Sequence, residues 1–169
     1  MSDKNSPHEQ LWELIHDIKF AMFAARSSDG EIRSRPLTTQ NKIDEGGVLW
    51  FFVSKSSELV QDLRTEPQVN VSYADPGDDS YVSVAGTATL SEDRAKVEEL
   101  FTPMAKAWFT QGPNDPDLQL VQVRIDQAEY WDVKESKVTQ LFKMAKSAVT
   151  GQPPSGMGEH RELDFGTTG

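Results

Sequence analysis

The chain has 169 residues, with 27 acidic and 17 basic side chains and a formal net charge of −10 at pH 7; this favours one domain with a sizeable core and argues against nucleic acid or an anionic membrane as the main partner. The sequence contains no cysteine, which excludes disulfides, thiol catalysis, iron–sulfur clusters and cysteine-ligated zinc. Because the N-terminus is polar and no run approaches the roughly 20 apolar residues of a membrane span, we expect a soluble cytoplasmic protein.

The first predicted element is a helix that begins at a capping box. Ser6 is a good N-cap, Pro7 suits the first turn, and Glu9 completes the box. Apolar residues then recur at helical spacing. Three strands are predicted next, at residues 20–27, 32–41 and 48–53, and the Asp29–Gly30 pair predicts a hairpin turn between the first two.

The rest of the chain alternates strands and short helices. A helix is predicted from Ser56 or Ser57 to a point before Pro67. Strands are predicted next at 68–74 and at 80–90, the second with a bulge at Gly86. A helix from Ser91 to Phe101 and a short helical piece at 103–109 follow. The last predicted elements are strands at 118–125 and 128–133 and a helix at 138–149 with an apolar stripe. Residues 1–149 are predicted to form the domain, and residues 150–169, rich in Gly, Pro and Ser, a mobile or loosely docked tail.

This pattern has about seven short strands and no regular βαβ alternation, so it favours a mostly antiparallel barrel over a doubly wound sheet. The sequence lacks a GxGxxG run, a Walker A motif and a GxSxG elbow, which argues against Rossmann binding, P-loop binding and a Ser-His-Asp hydrolase. Its three histidines, His8, His16 and His160, have no metal-ligand spacing.

The strongest chemical signal is the Ser-Lys-Ser-Ser run at residues 54–57, just before a predicted helix. A helix N-terminus offers unpaired N–H groups and a partial positive charge, so the run predicts a phosphate site; a plain N-cap beside a solvated lysine is the alternative. Arg35 on the preceding hairpin either places its guanidinium near the same phosphate or forms a surface ion pair. A phosphate site beside an apolar strand suits a mononucleotide such as a flavin.

The four tryptophans have two kinds of predicted role. Trp12 lies on the apolar face of the first helix and Trp50 begins a strand, so both are predicted to be in the core. Trp108 and Trp131 lie near loop edges, where each could stack on a ligand, fill a subunit interface or simply pack.

Five segments together resemble the pyridoxamine-phosphate-oxidase-like FMN-binding split barrels, and most closely their general stress protein 26 branch. They are RSRPLTT (33–39), LWFFVSKSSELVQDL (49–63), YVSVAGTATL (81–90), WFTQGPNDPDLQLVQVRIDQAEYWD (108–132) and TGQPPSGMGEHRELDF (150–165). The resemblance covers roughly residues 8–165. It implies a mainly β (α+β) fold, a six-stranded antiparallel split β-barrel with flanking helices, and a homodimer with FMN in a groove at the dimer interface.

The resemblance also implies a set of cofactor-binding residues. Backbone contacts along the isoalloxazine and ribityl chain are implied for Arg35, Pro36, Leu37 and Thr38, and phosphate contacts for Lys55 and Ser57. Phe52 and Val53 are implied to flank the ring, and Trp108 to cap it. Tyr81 and Ser83 are implied to approach the cofactor from the next barrel strand, and Trp131 to contact it from the other subunit. No metal site is implied, and no side chain stands out as a catalytic acid or base.

Two departures from the family pattern argue against oxidation of pyridoxamine phosphate. The oxidases carry an arginine and a histidine a few residues beyond the tryptophan that matches Trp131, where this chain reads DVKESK at 132–137. The arginine–lysine pair of their phosphate site corresponds here to Glu58 and Leu59. Fewer charge-assisted contacts to the phosphate imply moderate FMN affinity.

The expected function is therefore FMN binding, with a flavin-dependent oxidoreductase activity linked to the bacterial stress response and NAD(P)H or another small molecule as electron donor. Two alternatives stay open. The first is a non-catalytic protein that senses or stores FMN, and the second is a split barrel that binds deazaflavin or haem.

Overall fold

The structure is a computed structural model that describes residues 5–133, 137–156 and 158–166. The strands in these ranges are β1 (Phe20–Arg26), β2 (Ile32–Thr38), β3 (Val48–Ser54), β4 (Gln68–Asp75), β5 (Ser80–Ser91), β6 (Leu118–Asp132) and β7 (Glu159–Asp164). The α-helices are α1 (Pro7–Ile18), α2 (Glu58–Thr65), α3 (Arg94–Leu100) and α4 (Lys137–Thr150). None of the helices in the described ranges is long and apolar enough to cross a membrane.

The strands form one antiparallel sheet that curls into a half-barrel with the helices at its flanks. Six strands follow the hydrogen-bonded order β2-β1-β4-β5-β6-β3, and β7 pairs with the second half of β6, beyond the end of β3. β2 and β3 are thus the two ends of the order although they are consecutive in the chain. The predicted split-barrel fold is confirmed.

Burial along the strands shows which faces of the sheet form the core. In β1, Ala21, Phe23 and Ala25 are buried while the residues between them face outward, as period-2 alternation requires. β3 is apolar from Val48 to Val53 and is buried on both faces. One of its faces joins the main core, where Phe51 meets Phe23 edge-on at 5.3 Å between ring centroids. Its other face, with Trp50, joins a second cluster beneath α3.

The two strands predicted at 118–125 and 128–133 form one continuous strand, β6, so that prediction was wrong. The polar residues at 126–127 do not end the strand, because Asp126 is the extra residue of a β-bulge in β6 and the pairing with β5 resumes on both sides of it. The register shifts between Ala85 and Gly86, with Ala85 paired to Gln127 and Gly86 paired to Ile125. The irregularity predicted at Gly86 is therefore present, but its extra residue belongs to β6 rather than to β5. A Cβ at Gly86 would lie 2.6 Å from the carbonyl oxygen of Arg124, so this position requires glycine.

Helix α1 begins as predicted, with Ser6 as N-cap and both hydrogen bonds of the capping box present. Helix α3 does not begin at Ser91, which is the last residue of β5. Its N-cap is Asp93, whose carboxylate accepts from the Lys96 N–H at 3.0 Å. The short helical piece is also smaller than predicted, a single 3-10 turn at Ala105–Ala107.

The segment predicted to be a tail contains a strand. β7 pairs with residues 127–132 of β6 in antiparallel register, and Phe165 packs against the main core. Part of the tail therefore belongs to the sheet. Hydrophobic periodicity could not find β7, because its sequence EHRELD is polar and its side chains are largely exposed.

Candidate functional site

The facing edges of β2 and β3 form a seam that is closed at one end and open at the other. At the closed end the Gln40 N–H donates to the Trp50 carbonyl at 2.8 Å. The Asn41 side chain strengthens this contact: its Nδ2 donates to the Val48 carbonyl at 2.7 Å, and its Oδ1 accepts from the Trp50 N–H at 2.8 Å. One amide side chain thus replaces the missing strand pairing.

The segment that leads to the closed end is fixed from the core side. Thr39 is buried, and its hydroxyl lies 2.6 Å from the Tyr73 hydroxyl. Its N–H donates to the Lys19 carbonyl at 3.0 Å. Burial raises the pKa of Tyr73, so the phenol stays neutral and keeps this hydrogen bond at physiological pH. These contacts end β2 at Thr38, three residues before the predicted end.

Away from the closed end, the candidate residues of the two strands lie on the two sides of the open seam. β2 runs towards the closed end and β3 runs away from it, so residues 35–38 lie across the seam from residues 52–54. Arg35 and Leu37 share the core face of β2, opposite Phe23 and Ala21 of β1. β2 and β3 are not neighbours in the hydrogen-bonded order, so each presents a free backbone edge here.

The side chains of Phe52 and Val53 are both buried and committed to packing. Phe52 lies 6.1 Å from Phe101 and 6.4 Å from Phe109 between ring centroids. Val53 belongs to the main core. A ligand in the seam would therefore meet these two residues mainly through their backbone.

The open end leads directly to the N-terminus of α2. Ser57 occupies the N-cap position, but its side chain makes no capping hydrogen bond; its hydroxyl donates instead to the Ser54 carbonyl at 2.7 Å. The predicted N-cap position is correct and the predicted side-chain cap is wrong. Without that cap, first-turn N–H groups of α2 remain available to an anion.

Asp117 fixes the loop before α2. Its carboxylate accepts hydrogen bonds from the Ser54 hydroxyl and, at 3.1 Å, from the Ser56 N–H, while its carbonyl accepts from the Lys55 N–H at 2.6 Å. The Ser54 hydroxyl, and next the Ser56 N–H, lower the pKa of Asp117. Asp117 therefore stays ionised at neutral pH and holds the loop in one conformation.

The sequence analysis did not identify Asp117, which lies some 60 residues from the loop that it fixes. A local signal was present in the Asp115-Pro116-Asp117 run. Asp115 accepts from the Asp117 N–H at 3.0 Å in an Asx turn, a structure that Asp residues at this spacing favour. The run indicated a turn but not its distant partner.

Charged side chains of both signs border the open end. Lys55 is exposed and Arg35 is half-buried, while Glu58 and Asp117 carry negative charge close to the α2 N-terminus. The formal charges of these four residues cancel. An anion held here would therefore depend on backbone amides and hydroxyl groups more than on a net positive charge.

Tyr81, Ser83 and Trp131 lie elsewhere, on the outer face of the sheet. Tyr81 and Trp131 are cross-strand partners, 39% and 37% exposed. The Trp131 ring stacks on His160, with 5.0 Å between centroids and 5° between planes. β5 lies three strands from β2 in the sheet, about 14 Å at the usual strand spacing. One chain therefore does not bring these residues to the open seam, and their predicted flavin contacts remain predictions that need a second copy.

Trp108 lies in the segment between α3 and β6. Its side chain is 82% exposed, whereas the next residue, Phe109, is buried and packs on Phe52. Of the other tryptophans, Trp50 is buried as predicted, and Trp12 is partly buried against the core. The capping of a ring by Trp108 stays a prediction.

A cleft lies behind the closed end. It has a volume of about 660 Å³ and runs between α1 and residues 39–44. Its carboxylates have structural partners: Asp44 contacts His8 at 2.6 Å, and Glu9 completes the capping box of α1. In the described ranges, no three His, Asp or Glu side chains converge as metal ligands. The open end, with its free edges and uncapped helix, is therefore the better candidate site.

Known proteins are similar to this chain along most of its length. A curated relative, the protein bli-3 of Neurospora crassa, is 29% identical over 145 residues, which cover 80% of this chain and 69% of that protein. A general stress FMN/FAD binding protein of Xanthomonas citri has a structure at TM-score 0.67 with 32% identity, over 76% of this chain and 89% of that chain. A structure described as a putative general stress protein 26 of Jannaschia sp. CCS1 matches at TM-score 0.74 with 26% identity, over 94% of this chain and 98% of that one.

The fold also occurs in a protein with a different cofactor. A heme binding protein of Mycobacterium smegmatis has a TM-score of 0.65 and 15% identity, over 96% of this chain and 59% of that chain. At this identity the likeness concerns the fold alone.

Family membership follows from the sequence match. The profile described as pyridoxamine 5′-phosphate oxidase like matches residues 6–155, nearly the whole chain. The family expected from the five resembling segments is thereby confirmed, and the chain belongs to the pyridoxamine 5′-phosphate oxidase-like family.

Proposed function

We propose that this protein binds FMN along the open end of the seam, as a homodimer, and uses it as an oxidoreductase cofactor in a stress response. The observation that carries the proposal is the uncapped N-terminus of α2, placed where the free edges of β2 and β3 end. A helix N-terminus takes the phosphate, and free strand edges supply donors and acceptors for a flat heteroaromatic ring. The Xanthomonas relative, named as an FMN/FAD binding protein, supports the same class of ligand.

The residues present fit the two ends of an FMN molecule. At the phosphate end, first-turn amides of α2 and the Lys55 ammonium are the available donors, while the Ser57 hydroxyl donates to the Ser54 carbonyl and so keeps the helix N-terminus uncapped. At the ring end, the backbone of residues 35–38 and 52–53 forms the two walls. Leu37 is partly buried against the main core, so this wall is well supported.

A bound flavin supplies hydride and electron transfer, and the chain binds, orients and shields it. The closed end, with Asn41 and Thr39, sets the width of the seam. Asp117 holds the 54–57 loop against the phosphate end. Because its pKa is lowered, Asp117 is ionised at neutral pH and does not serve as a proton donor there.

The proposed homodimer uses the outer face of the sheet. This face carries Phe20 and Met22 of β1, which are 61% and 44% exposed, as well as Tyr81 and Trp131. Monomers seldom expose so many large apolar side chains on one face. A second copy on this face would bring its own Trp131 towards the seam of the first.

Pyridoxamine phosphate itself is not the proposed substrate. Glu58 is the first residue of α2 and stands where the oxidases carry a basic residue of their phosphate site, so this chain departs from the oxidase pattern there. Part of the segment where the oxidases carry their substrate arginine and histidine, residues 134–136, lies outside the described residues. The electron donor proposed is NAD(P)H or another small molecule.

The visible spectrum of the purified protein, before and after incubation with FMN and desalting, tests the cofactor. Flavin bands that survive desalting support the proposal. A colourless protein that retains no flavin overturns it, and parallel loading with haem and with deazaflavin then identifies the competing cofactor. Steady NAD(P)H oxidation by the holoprotein supports the oxidoreductase; retained FMN without turnover for several acceptors supports a sensor or store.

A further inference from the structure

Helix α4 is amphipathic, but it is turned the opposite way from an ordinary surface helix. Its half-buried residues, Gln140, Lys143 and Ser147, are polar and recur at helical spacing. Gln140 donates to Asp79 at 3.4 Å, Lys143 donates to the Gly156 carbonyl at 2.8 Å, and Ser147 donates to the Gln152 carbonyl. The helix thus lies on its own chain through its polar face.

The opposite face of α4 is apolar and faces away from the chain. Its large side chains are 70–88% exposed: Val138, Leu141, Phe142 and Val149. With Ala145 they follow the spacing of a single stripe, which we call the α4 stripe. In a surface helix such a stripe normally packs on the core, so its outward direction calls for a covering surface.

We propose that the α4 stripe packs against a second copy of this chain. The proposal rests on the homodimer of the proposed function but not on its flavin. α4 begins five residues after the end of β6, within about 18 Å of chain. It is attached through Gln140 to Asp79 in the β4–β5 turn, at the same end of the sheet as Tyr81 and Trp131.

The number of exposed apolar side chains suits a dimer interface. The α4 stripe and the outer-face side chains Phe20, Met22, Tyr81 and Trp131 include eight large apolar side chains that are 37–88% exposed. One partner in a standard interface contributes about 800 Å². Because a two-fold dimer uses each surface twice, the stripe of each copy would lie on the other copy.

Charge favours the same partner. The sequence of α4, KVTQLFKMAKSAVT, carries three lysines and no acidic residue, while the chain as a whole carries −10. A second copy therefore offers the helix an acidic surface. An anionic membrane would attract the helix but repel the remainder of the chain. Lys143, moreover, donates into its own chain, rather than flanking the stripe as lysines do in interfacial helices.

The first test compares dimer dissociation in charge variants of α4. Leu141→Asp and Phe142→Asp are expected to weaken the dimer at least tenfold each, measured by sedimentation velocity over a dilution series. Thr139→Asp, which adds the same charge to an exposed position off the stripe, is the matched control and is expected to leave dimerisation within about twofold. Equal dissociation constants for all three variants and the parent would overturn the proposal.

A second test locates the stripe directly and does not depend on a variant that fails to fold. Because the chain has no cysteine, Ala145→Cys and Thr139→Cys each accept one polarity-sensitive dye. Emission of the dye at 145 is expected to be blue-shifted in the dimer and to return to the solvent value on dilution, whereas the dye at 139 reports solvent throughout. A dimer in which the 145 dye stays in solvent overturns the proposal, as does a blue shift that occurs only with phosphatidylserine vesicles, or a protein that is monomeric at every concentration.

Flavin retention is measured on the same samples by absorbance. A buried stripe in a protein that keeps no FMN would leave this inference standing and remove the proposed function. Retained FMN with an exposed stripe would support the proposed function and overturn the inference about the α4 stripe.

Discussion

The two ends of the β2–β3 seam differ in what their polar groups do. At the closed end, polar groups form hydrogen bonds within the chain: Asn41 pairs with two backbone groups of β3, and the Thr39 hydroxyl contacts the Tyr73 hydroxyl in the core. At the open end, the Ser57 side chain leaves the α2 N-terminus uncapped. A strand edge thus serves as structure where a side chain from the same chain satisfies its backbone groups, and as a binding surface where none does.

Substitution at the closed end is expected to have the largest effect, because stability and ligand binding both depend on it. In Asn41→Leu the Val48 carbonyl and the Trp50 N–H lose their partners, at a cost of about 2 kcal/mol. For a chain of this length that lowers the Tm by roughly 4–8 °C. Thermal melts followed by circular dichroism measure the change, and FMN affinity should fall with it.

Asn114→Leu is the control for this substitution. Asn114 is exposed and accepts a single long hydrogen bond of 3.5 Å from Arg94, so its loss should change the Tm by less than about 2 °C. A parent-like Tm for Asn41→Leu would show that the closed end is held by other contacts.

Substitution at the open end should separate binding from stability. Ser57→Asp places a negative charge against the phosphate and is expected to weaken FMN binding by more than tenfold, about 1.4 kcal/mol. The apoprotein should keep or raise its Tm, because aspartate is a favourable N-cap. Fluorescence titration and melts of the apoprotein measure the two quantities.

Ser6→Asp makes the same change at the N-cap of α1, away from the seam, and should leave FMN affinity unaltered. If Ser57→Asp binds FMN as tightly as the parent, the phosphate lies elsewhere and the open end is not its site.

A smaller effect is expected at Trp131, which tests whether the second copy completes the open end. Trp131→Ala removes one stacking surface, and we expect FMN affinity to fall about threefold to tenfold, although Trp131 is distant from the seam within one chain. His160→Ala, which removes the ring stacked on Trp131 but no proposed flavin contact, is the control. Parent-like affinity in Trp131→Ala would rule out this interface.

The smallest effect concerns the loop anchor Asp117 and appears only in acid. The folded-state pKa of Asp117 lies below the ordinary 3.8, so its contribution to stability is present above that pH and is lost as the pH falls through the lower folded value. The NMR shift of the Ser56 amide should titrate with a midpoint below 3.8. Ser54→Ala, which removes the main cause of the shift, should move the midpoint upwards; a parent midpoint at or above 3.8 would contradict the anchor.

The sequence predicted the parts of the fold that are encoded locally. The capping box of α1 and the antiparallel barrel follow from residue type and spacing, and the structure confirms them. Gly86 indicated a sheet irregularity at its own position, although the extra residue lies in β6. The continuous β6 and the strand β7 could not be found in this way. A bulge at Asp126 keeps β6 continuous through the polar residues at 126–127, and β7 is stabilised by pairing with β6 rather than by an apolar face.

The candidate site was predictable in its near parts and not in its distant ones. The residues of 35–38 and 52–57 lie around one open seam because β2, β3 and α2 are consecutive in the chain. The roles of Asp117 and of the Asn41 side chain at the closed end were missed, since hydrogen bonds between distant or irregular segments leave no periodic signal. Trp131 and Tyr81 are adjacent to each other but not to the seam, a separation that only the strand order reveals.

The pairing of β3 with β6 has a consequence for synthesis of the chain. β3 reads VLWFFVS, and its partner residues 118–124 follow it by roughly 60–80 residues, a delay of about 3–15 s at ordinary rates of translation. Throughout that interval the most apolar strand of the protein has no partner on either edge, which is the condition under which such segments aggregate. Asp44, Glu45 and Lys55 flank the strand as charged gatekeepers, and in this role they protect the nascent chain during the seconds before the barrel exists.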